Sequence, residues 1–380
     1  MKLNNSGRTA PAPRVAPAPS PSPFRSLGDE LWAIARAEVG NVGRDPRLQR
    51  RAAAAGGSEA VPSDGGYLLS PVHANQILER AYLTGKILQR CTEVRIDGTN
   101  SFAYPVFDES SRATGSRFGG LEVFWEQEAQ NLLPPLLQTA PHSMKPAFSL
   151  NTLTAKKLTG LLFLSDELSM DSDAFSTWAN LAFGSELRFV LEQSIIAGTG
   201  AGQPLGILNS PALVTVAKAP AQAAGTVVAA NIQAMLDAVW SASYVSGNAI
   251  WLYSQTVQGQ LAQLTTAVGS GGSESRLWSW RTTDDGPDRL CGLPIYPSEY
   301  CLPAGSTGDL LLIDPSRYLL MMREQIGTVS LHVRFLTSES TFKFILRCDG
   351  APIDKQPVNP MNAGSPPTAT SPFVALAPRS

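Results

Sequence analysis

Glu126 and Glu128 stand two residues apart beside Trp125, a spacing that turns both carboxylates to one side of an extended strand. Two carboxylates flanking a sugar do general acid and base chemistry of the glycosidase kind. That chemistry needs an enclosed pocket, and these residues fall in a polar stretch that reads as a projecting hairpin. Contact with another subunit is the better reading. Gly198-Thr199-Gly200-Ala201-Gly202 has the glycine content of a phosphate cradle. Dinucleotide-binding loops follow a strand and open a helix, whereas this stretch follows a helical pattern and reads as a helix stop and hinge. Asp284, Asp285 and Asp288 offer oxygen ligands to a hard cation but lack EF-hand spacing, and they read as a solvated charge run.

The other chemistry-bearing side chains are sparse. His73, His142 and His332 are isolated, and no GxxxxGK[ST], HExxH, GxSxG or CxxC motif occurs. The expectation is a chain with no catalytic residues, no cofactor and no metal. Cys91, Cys291, Cys301 and Cys348 have the spacing of neither a zinc site nor a disulfide scaffold. They read as reduced packing residues, with a Cys91 to Cys348 bridge left open.

The elements that position these residues belong to a chain of 380 residues, 43% of them hydrophobic, enough for two domains with a large core. Thirty Lys and Arg against 32 Asp and Glu give a net charge of −2, which excludes the strong positive field of a dedicated nucleic-acid binder. The uncharged run from Ala238 to Ser273 is interrupted throughout by Ser, Gln, Asn and Gly, so no membrane span is expected. Six prolines between Pro11 and Pro23 occupy the place of a signal peptide's apolar stretch. Residues 1 to 25 are rich in Pro, Ala and Ser and read as a mobile arm. Leu31, Ile34, Ala35 and Val39 then mark a short amphipathic helix. Residues 1 to 55 hold nine Lys or Arg and four acids, a net +5. A solvated tail and a polyanion contact both fit that charge.

The folded body is expected from Gly65-Gly66-Tyr67-Leu68 onward. Val94-Arg95-Ile96, Phe102 to Phe107 and Leu161 to Leu164 read as strands. Between Pro105 and Lys156 the polar composition and absence of a helical period predict a long projecting hairpin. Phe175, Trp178, Ala182, Phe183, Leu187, Val190, Leu191 and Ile195 recur at steps of three and four, which predicts a long helix stopped by Gly198 and Gly200. Beyond it, a helix at Ile232 to Val239 and apolar runs at Ala249 to Tyr253, Leu293 to Tyr296 and Leu310 to Ile313 alternate as in an α/β lobe. Val329 to Phe335 and Phe342 to Arg347 alternate like half-buried antiparallel strands.

This order of arm, hairpin, long helix, glycine stretch, α/β lobe and returning strands resembles the HK97-like major capsid proteins of tailed bacteriophages. The segments that carry the resemblance are Asp64-Gly65-Gly66-Tyr67-Leu68 with Pro71, Trp125 with Glu126, Lys156-Lys157-Leu158 followed by Leu164-Ser165-Asp166-Glu167-Leu168, and Gly200-Ala201-Gly202-Gln203-Pro204-Leu205-Gly206-Ile207-Leu208. The last is similar to the family's Gly-Thr-Gly-Gln-Pro-x-Gly-Ile stretch. Two departures stand out: Thr199 where the family often has an acid, and a hairpin region that is longer than usual.

The resemblance implies an α+β fold, the HK97-like capsid fold, divided in seven parts. These are a flexible N-terminal arm (1–60), the first part of a peripheral domain (61–104), an extended β-hairpin or E-loop (105–156), the peripheral domain with its spine helix at 172–197 (157–213), an axial α/β domain (214–315), peripheral strands (316–355) and a C-terminal segment returning to the axial domain (356–380). It implies self-assembly into pentamers and hexamers that form an icosahedral shell around double-stranded DNA, touched by weak non-specific contacts. It also implies a virion capsid assembled in the host cytoplasm, a portal, a separate scaffolding protein because no long helical scaffolding segment precedes the body, and a decoration protein as an optional partner. Trp125, Glu126 and Glu128 are the expected inter-subunit contacts. Gly198, Gly200, Gly202, Pro204 and Gly206 are the expected hinge after the spine helix. The shells of gene transfer agents and encapsulin-like compartments use the same fold and stay open as alternatives. The contrasting class is an enzyme or adhesive module with Pro-rich flanks.

Overall fold

Residues 86–107, 112, 148–165, 172–268, 273–279, 287–334, 339–361 and 369–379, with Phe24, Asp29, Ala33 and Arg47, are described by a computed structural model of the chain. The hairpin residues Trp125, Glu126 and Glu128, and Asp284 and Asp285, lie outside the described residues. Two compact units are present, one of residues 1–76, 163–178 and 327–342, the other of 77–162, 179–326 and 343–380. In the first unit Asp29 and Ala33 are helical, and Phe24 and Ala33 are buried. Arg47 there pairs with Asp29 at 3.0 Å and lies over the Phe24 ring.

In chain order the elements begin with strands β1 (Thr92–Ile96), β2 (Ser101–Phe107), β3 (Phe148–Thr154) and β4 (Lys156–Ser165) and helix α1 (Ser172–Ala197). Then come β5 (Val214–Val216), α2 (Ala229–Ala238), α3 (Ser241–Val245), β6 (Ile250–Tyr253), α4 (Gln258–Leu261), β7 (Thr265–Val268), β8 (Ser273–Arg276), β9 (Trp278–Ser279), β10 (Arg289–Leu290), β11 (Leu293–Pro297) and β12 (Leu310–Ile313). The long strands β13 (Tyr318–Arg334) and β14 (Glu339–Pro352) and the short β15 (Phe373–Leu376) complete the order.

A seven-stranded sheet runs in the order β5-β15-β12-β6-β11-β10-β9. Three adjacent strands, β15, β12 and β6, are buried along their whole length, which is why they read as unbroken apolar runs and not as alternation. Trp251, Tyr253, Leu310, Leu312, Val374 and Leu376 pack with Ile232 and Met235 of α2 in one core. Inside it the Trp251 indole N–H donates to the Leu290 carbonyl at 3.1 Å, so this large ring carries no unsatisfied donor.

A four-stranded sheet runs β1-β13-β14-β4, with β1 parallel to β13. Alternation in the sequence places a strand at Val329, yet β13 starts at Tyr318. Leu319, Leu320, Met321 and Met322 are all buried, so both sides of the strand are covered there and the period-two signal vanishes. On one side Leu319 and Met321 meet Val94, Ile96 and Leu153. On the other, Phe344 meets Phe183 of α1 with ring centroids 4.6 Å apart. Strands β2 and β3 pair antiparallel from Ser101↔Thr154 to Phe107↔Phe148. All four cysteines are free thiols, so the bridge left open between Cys91 and Cys348 does not form. No helix among the described residues is long and apolar enough to cross a membrane.

Candidate functional site

Helix α1 stops at Ala197 against a glycine buckle that folds back on itself. The Gly206 N–H donates to the Gly198 carbonyl at 2.8 Å and the Gly200 N–H to the Pro204 carbonyl at 3.2 Å, with Thr199 and Leu205 bridged antiparallel between them. A Cβ at Gly198 would lie 2.3 Å from the Pro204 carbonyl oxygen, and one at Gly206 would lie 2.3 Å from the Gly198 nitrogen. Both clashes are with backbone, so only glycine allows this approach. Gly200 and Gly202 have φ of +80° and +73°, which a side chain disfavours. The structure thus brings Gly198, Gly200, Gly202, Pro204 and Gly206 into one turn.

Three residues, Lys156, Asn209 and Tyr318, brace this turn. The Lys156 ammonium donates to the carbonyls of Gly200 and Gln203 at 2.9 and 2.8 Å and to Asp349 Oδ1 at 2.9 Å, so all three of its N–H groups are used. Asp349, almost fully buried, also accepts the backbone N–H groups of Thr154 and Gly350. Asn209 donates its amide to the carbonyls of Ala197 and Gly198, both at 3.0 Å, satisfying helix-end acceptors. Tyr318, fully buried, donates its hydroxyl to the Leu205 carbonyl at 2.9 Å, and burial pushes its pKa well above the usual tyrosine range. A Cβ at Gly350 would sit 2.7 Å from the Tyr318 ring. Asn209 follows the turn closely, while Lys156 and Tyr318 lie 44 and 113 positions from the Gly200 and Leu205 carbonyls they hold.

Two further ionic contacts tie distant segments. Glu192 on α1 is buried and accepts the N–H groups of Ile87 and Leu88 at 3.0 and 3.3 Å, capping the short helical turn at Leu88–Arg90. Arg379 is fully buried beside Asp309, which both its terminal nitrogens contact. Its backbone donates to the Gly305 carbonyl at 2.9 Å and accepts from the Gly225 N–H at 2.8 Å, so two loops of the seven-stranded lobe close on the last described residue. No cluster of His, Cys, Asp or Glu able to hold a metal ion occurs among the described residues. A groove of about 460 Å³ beside Trp240 is lined by Arg112, Asp237, Tyr244, Val245, Val358 and Pro360 among others.

The buckle, its braces and the two buried carboxylates stabilise and connect distant segments of the chain. The model of the phage capsid family matches residues 65–363, and the chain belongs to that family. No curated protein matches it. Among solved structures, a chain from the capsid of an empty GTA particle computed with C5 symmetry is 16% identical with a TM-score of 0.54, covering 78% of this chain and 90% of that one. The capsid of the native GTA particle gives 16% identity and a TM-score of 0.51 over 79% and 91% of the two chains. A chain of Mycobacterium phage Adephagia is 12% identical over 78% of this chain and 90% of that one, with a TM-score of 0.47. The fold is the α+β, HK97-like capsid fold. The chain is a capsid shell protein, a structural component of the virion capsid whose copies associate into a shell.

Proposed function

We propose that this chain is the major capsid protein whose pentamers and hexamers close an icosahedral shell around double-stranded DNA. The observation that carries the reading is the family match across residues 65–363, which spans both the four-stranded and the seven-stranded sheet. A closed shell repeats one set of surface patches around its axes, and such permanent interfaces exceed about 2,000 Å². The job is mechanical and involves no catalysis. Trp125, Glu126 and Glu128 anchor the segment between β2 and β3 on a neighbour. Gly198, Gly200, Gly202, Pro204 and Gly206 set the angle at which the chain leaves α1, with Lys156 as the pin. A separate scaffolding protein, a portal and an optional decoration protein complete assembly in the host cytoplasm. A near-neutral chain of net charge −2 lines the DNA without gripping it.

A second reading, the shell of a gene transfer agent, is favoured by the two GTA capsids with TM-scores of 0.54 and 0.51. Electron microscopy of the chain, expressed alone and with its neighbouring genes, tests the proposal. Rings of five and six or hollow shells are expected, and a persistent monomer in both conditions sinks it. Sequencing of the enclosed DNA separates the two readings, since a phage shell holds one genome and a gene transfer agent holds random host fragments.

A further inference from the structure

Eight large apolar side chains are exposed among the described residues, and six of them gather in two groups. Tyr244 and Val245 of α3 belong to the groove beside Trp240, and Met361 follows the Pro360 that lines it. Val245 is 83% exposed and Met361 63%. The second group lies on α1 and on the loop after β11. There the exposed Phe189 meets Tyr300 with ring centroids 5.2 Å apart, Val190 stands beside Phe189, and Leu302, two residues beyond Tyr300, is 46% exposed. Apolar residues exposed singly are ordinary, whereas grouped ones mark interaction sites.

The two groups stand at opposite ends of the lobe's buried strands. The Trp240 N–H donates to the Ser371 carbonyl, two residues before Phe373, which pairs with Ile313 as Ile313 pairs with Ile250. At the other end Tyr253 pairs with Leu310, and the Tyr253 carbonyl accepts the Ser298 N–H where the loop to Tyr300 and Leu302 begins. Strands of four residues, about 13 Å long, hold the groups apart, so neither covers the other within one copy. A head-to-tail contact, the kind that closes a ring, joins two such different patches. Each group also carries both signs of charge. Arg112 and Asp237 line the groove, while Arg188 and Glu299 flank Tyr300, so one docked orientation sets each charge against its opposite.

We infer that the groove beside Trp240 is the socket for the Phe189 and Leu302 edge of the next copy in a ring. The Trp240 ring is fixed before any partner arrives. The guanidiniums of Arg112 and Arg317 lie 5.7 and 5.3 Å from its centroid, and both carboxylate oxygens of Asp354 hold Arg317. A side chain already held in place has little freedom to lose on binding. Val245 and Met361 extend the apolar surface past the groove, which suits the flank of a protein better than a small molecule enclosed in the hollow. The inference rests on the shell reading, because rings of copies exist only there, and it adds which two faces of neighbouring copies meet.

The test uses the full chain under conditions where the wild type forms shells. In V245C/L302C shells a short bismaleimide is expected to join copies into a ladder on a denaturing gel, above the background that the treated wild type gives through its own thiols. Particles mixed from V245C chains and L302C chains should stop at pairs, because each chain then has one new thiol. Intact V245C/L302C shells that give no ladder overturn the inference. Pairs from V245C alone place like faces together and overturn the head-to-tail docking. V245D and L302D change exposed positions and should melt like the wild type, while each lowers particle yield by about tenfold or more, since a carboxylate then enters an apolar contact. Wild-type yield from both also overturns the inference. A wild type that forms neither rings nor shells removes the shell reading itself, and this inference with it.

Discussion

The seven-stranded lobe and the four-stranded sheet solve the same problem in opposite ways. In the lobe, β6, β12 and β15 are buried on both sides, and Arg379 with Asp309 closes its loops from within. The four-stranded sheet buries one side under α1 and leaves Lys157, Arg323, Lys343 and Arg347 on the other without a carboxylate among the described residues. The lobe pairs its buried charges within the chain, while the sheet leaves these four cations without an acid among the described residues.

The contrast is best attacked where the lobe is most closed. Asp309→Ala leaves the Arg379 guanidinium buried without its partner and should destabilise the lobe by about 3–5 kcal/mol, read as a lower denaturation midpoint at unchanged slope. D309L/R379M, which removes both charges, should recover most of that loss. If D309A unfolds no earlier than the wild type, the lobe is not closed by this pair.

Next in size is the glycine buckle. Gly206→Ala forces the backbone apart at Gly198 and should cost about 1–3 kcal/mol, whereas at Gly202, where no atom lies within 4 Å of the added Cβ, the positive φ alone costs about 1–2 kcal/mol. Equal losses at the two positions would mean that close approach plays no part.

Alkali offers a third measurement. Burial pushes the Cys301 and Cys348 thiols from an ordinary value of 9.0 up to about 12, and Tyr300 from 10.0 up to about 12. For each, desolvation leads, and for Tyr300 the charge of Glu192 adds to it. Groups raised in the folded state contribute stability that is fully present below pH 9 and is lost as pH rises toward about 12. Thermal midpoints should therefore hold below pH 9 and fall above it, and both thiols should resist alkylation at pH 8 until the chain unfolds. Rapid native labelling at Cys348 would show that the α1 side of the sheet opens.

The smallest expected effect tests the open face. Lys157→Ala should change monomer stability by less than about 0.5 kcal/mol, read as an unshifted denaturation midpoint. A stability loss as large as that of D309A would mean that this face is closed within the monomer.

Much of the frame was legible in order along the chain. The 3-and-4 repeat through Leu187, Leu191 and Ile195 and the stop at Gly198 mark α1 because helix burial and termination are local. The apolar runs at 249–253 and 310–313 mark two of the lobe's buried strands for the same reason. The glycine stretch was visible as a helix stop, but its bracing by Lys156 and Tyr318 was not, since each comes from a strand that only folding brings near. The start of β13 was hidden because a strand covered on both sides carries no period.

What the sequence by itself determined is the family, the position of the long helix and the apolar cores, all written in residue type and spacing within short windows. Only the tertiary structure decided which charges meet. Lys156 finds Asp349, Arg379 finds Asp309 and Glu192 finds the turn at Leu88, while Arg323 and Arg347 meet at Asn100. Coulomb interactions depend on separation in space, and residues more than a hundred positions apart have no separation until the strands that carry them have paired.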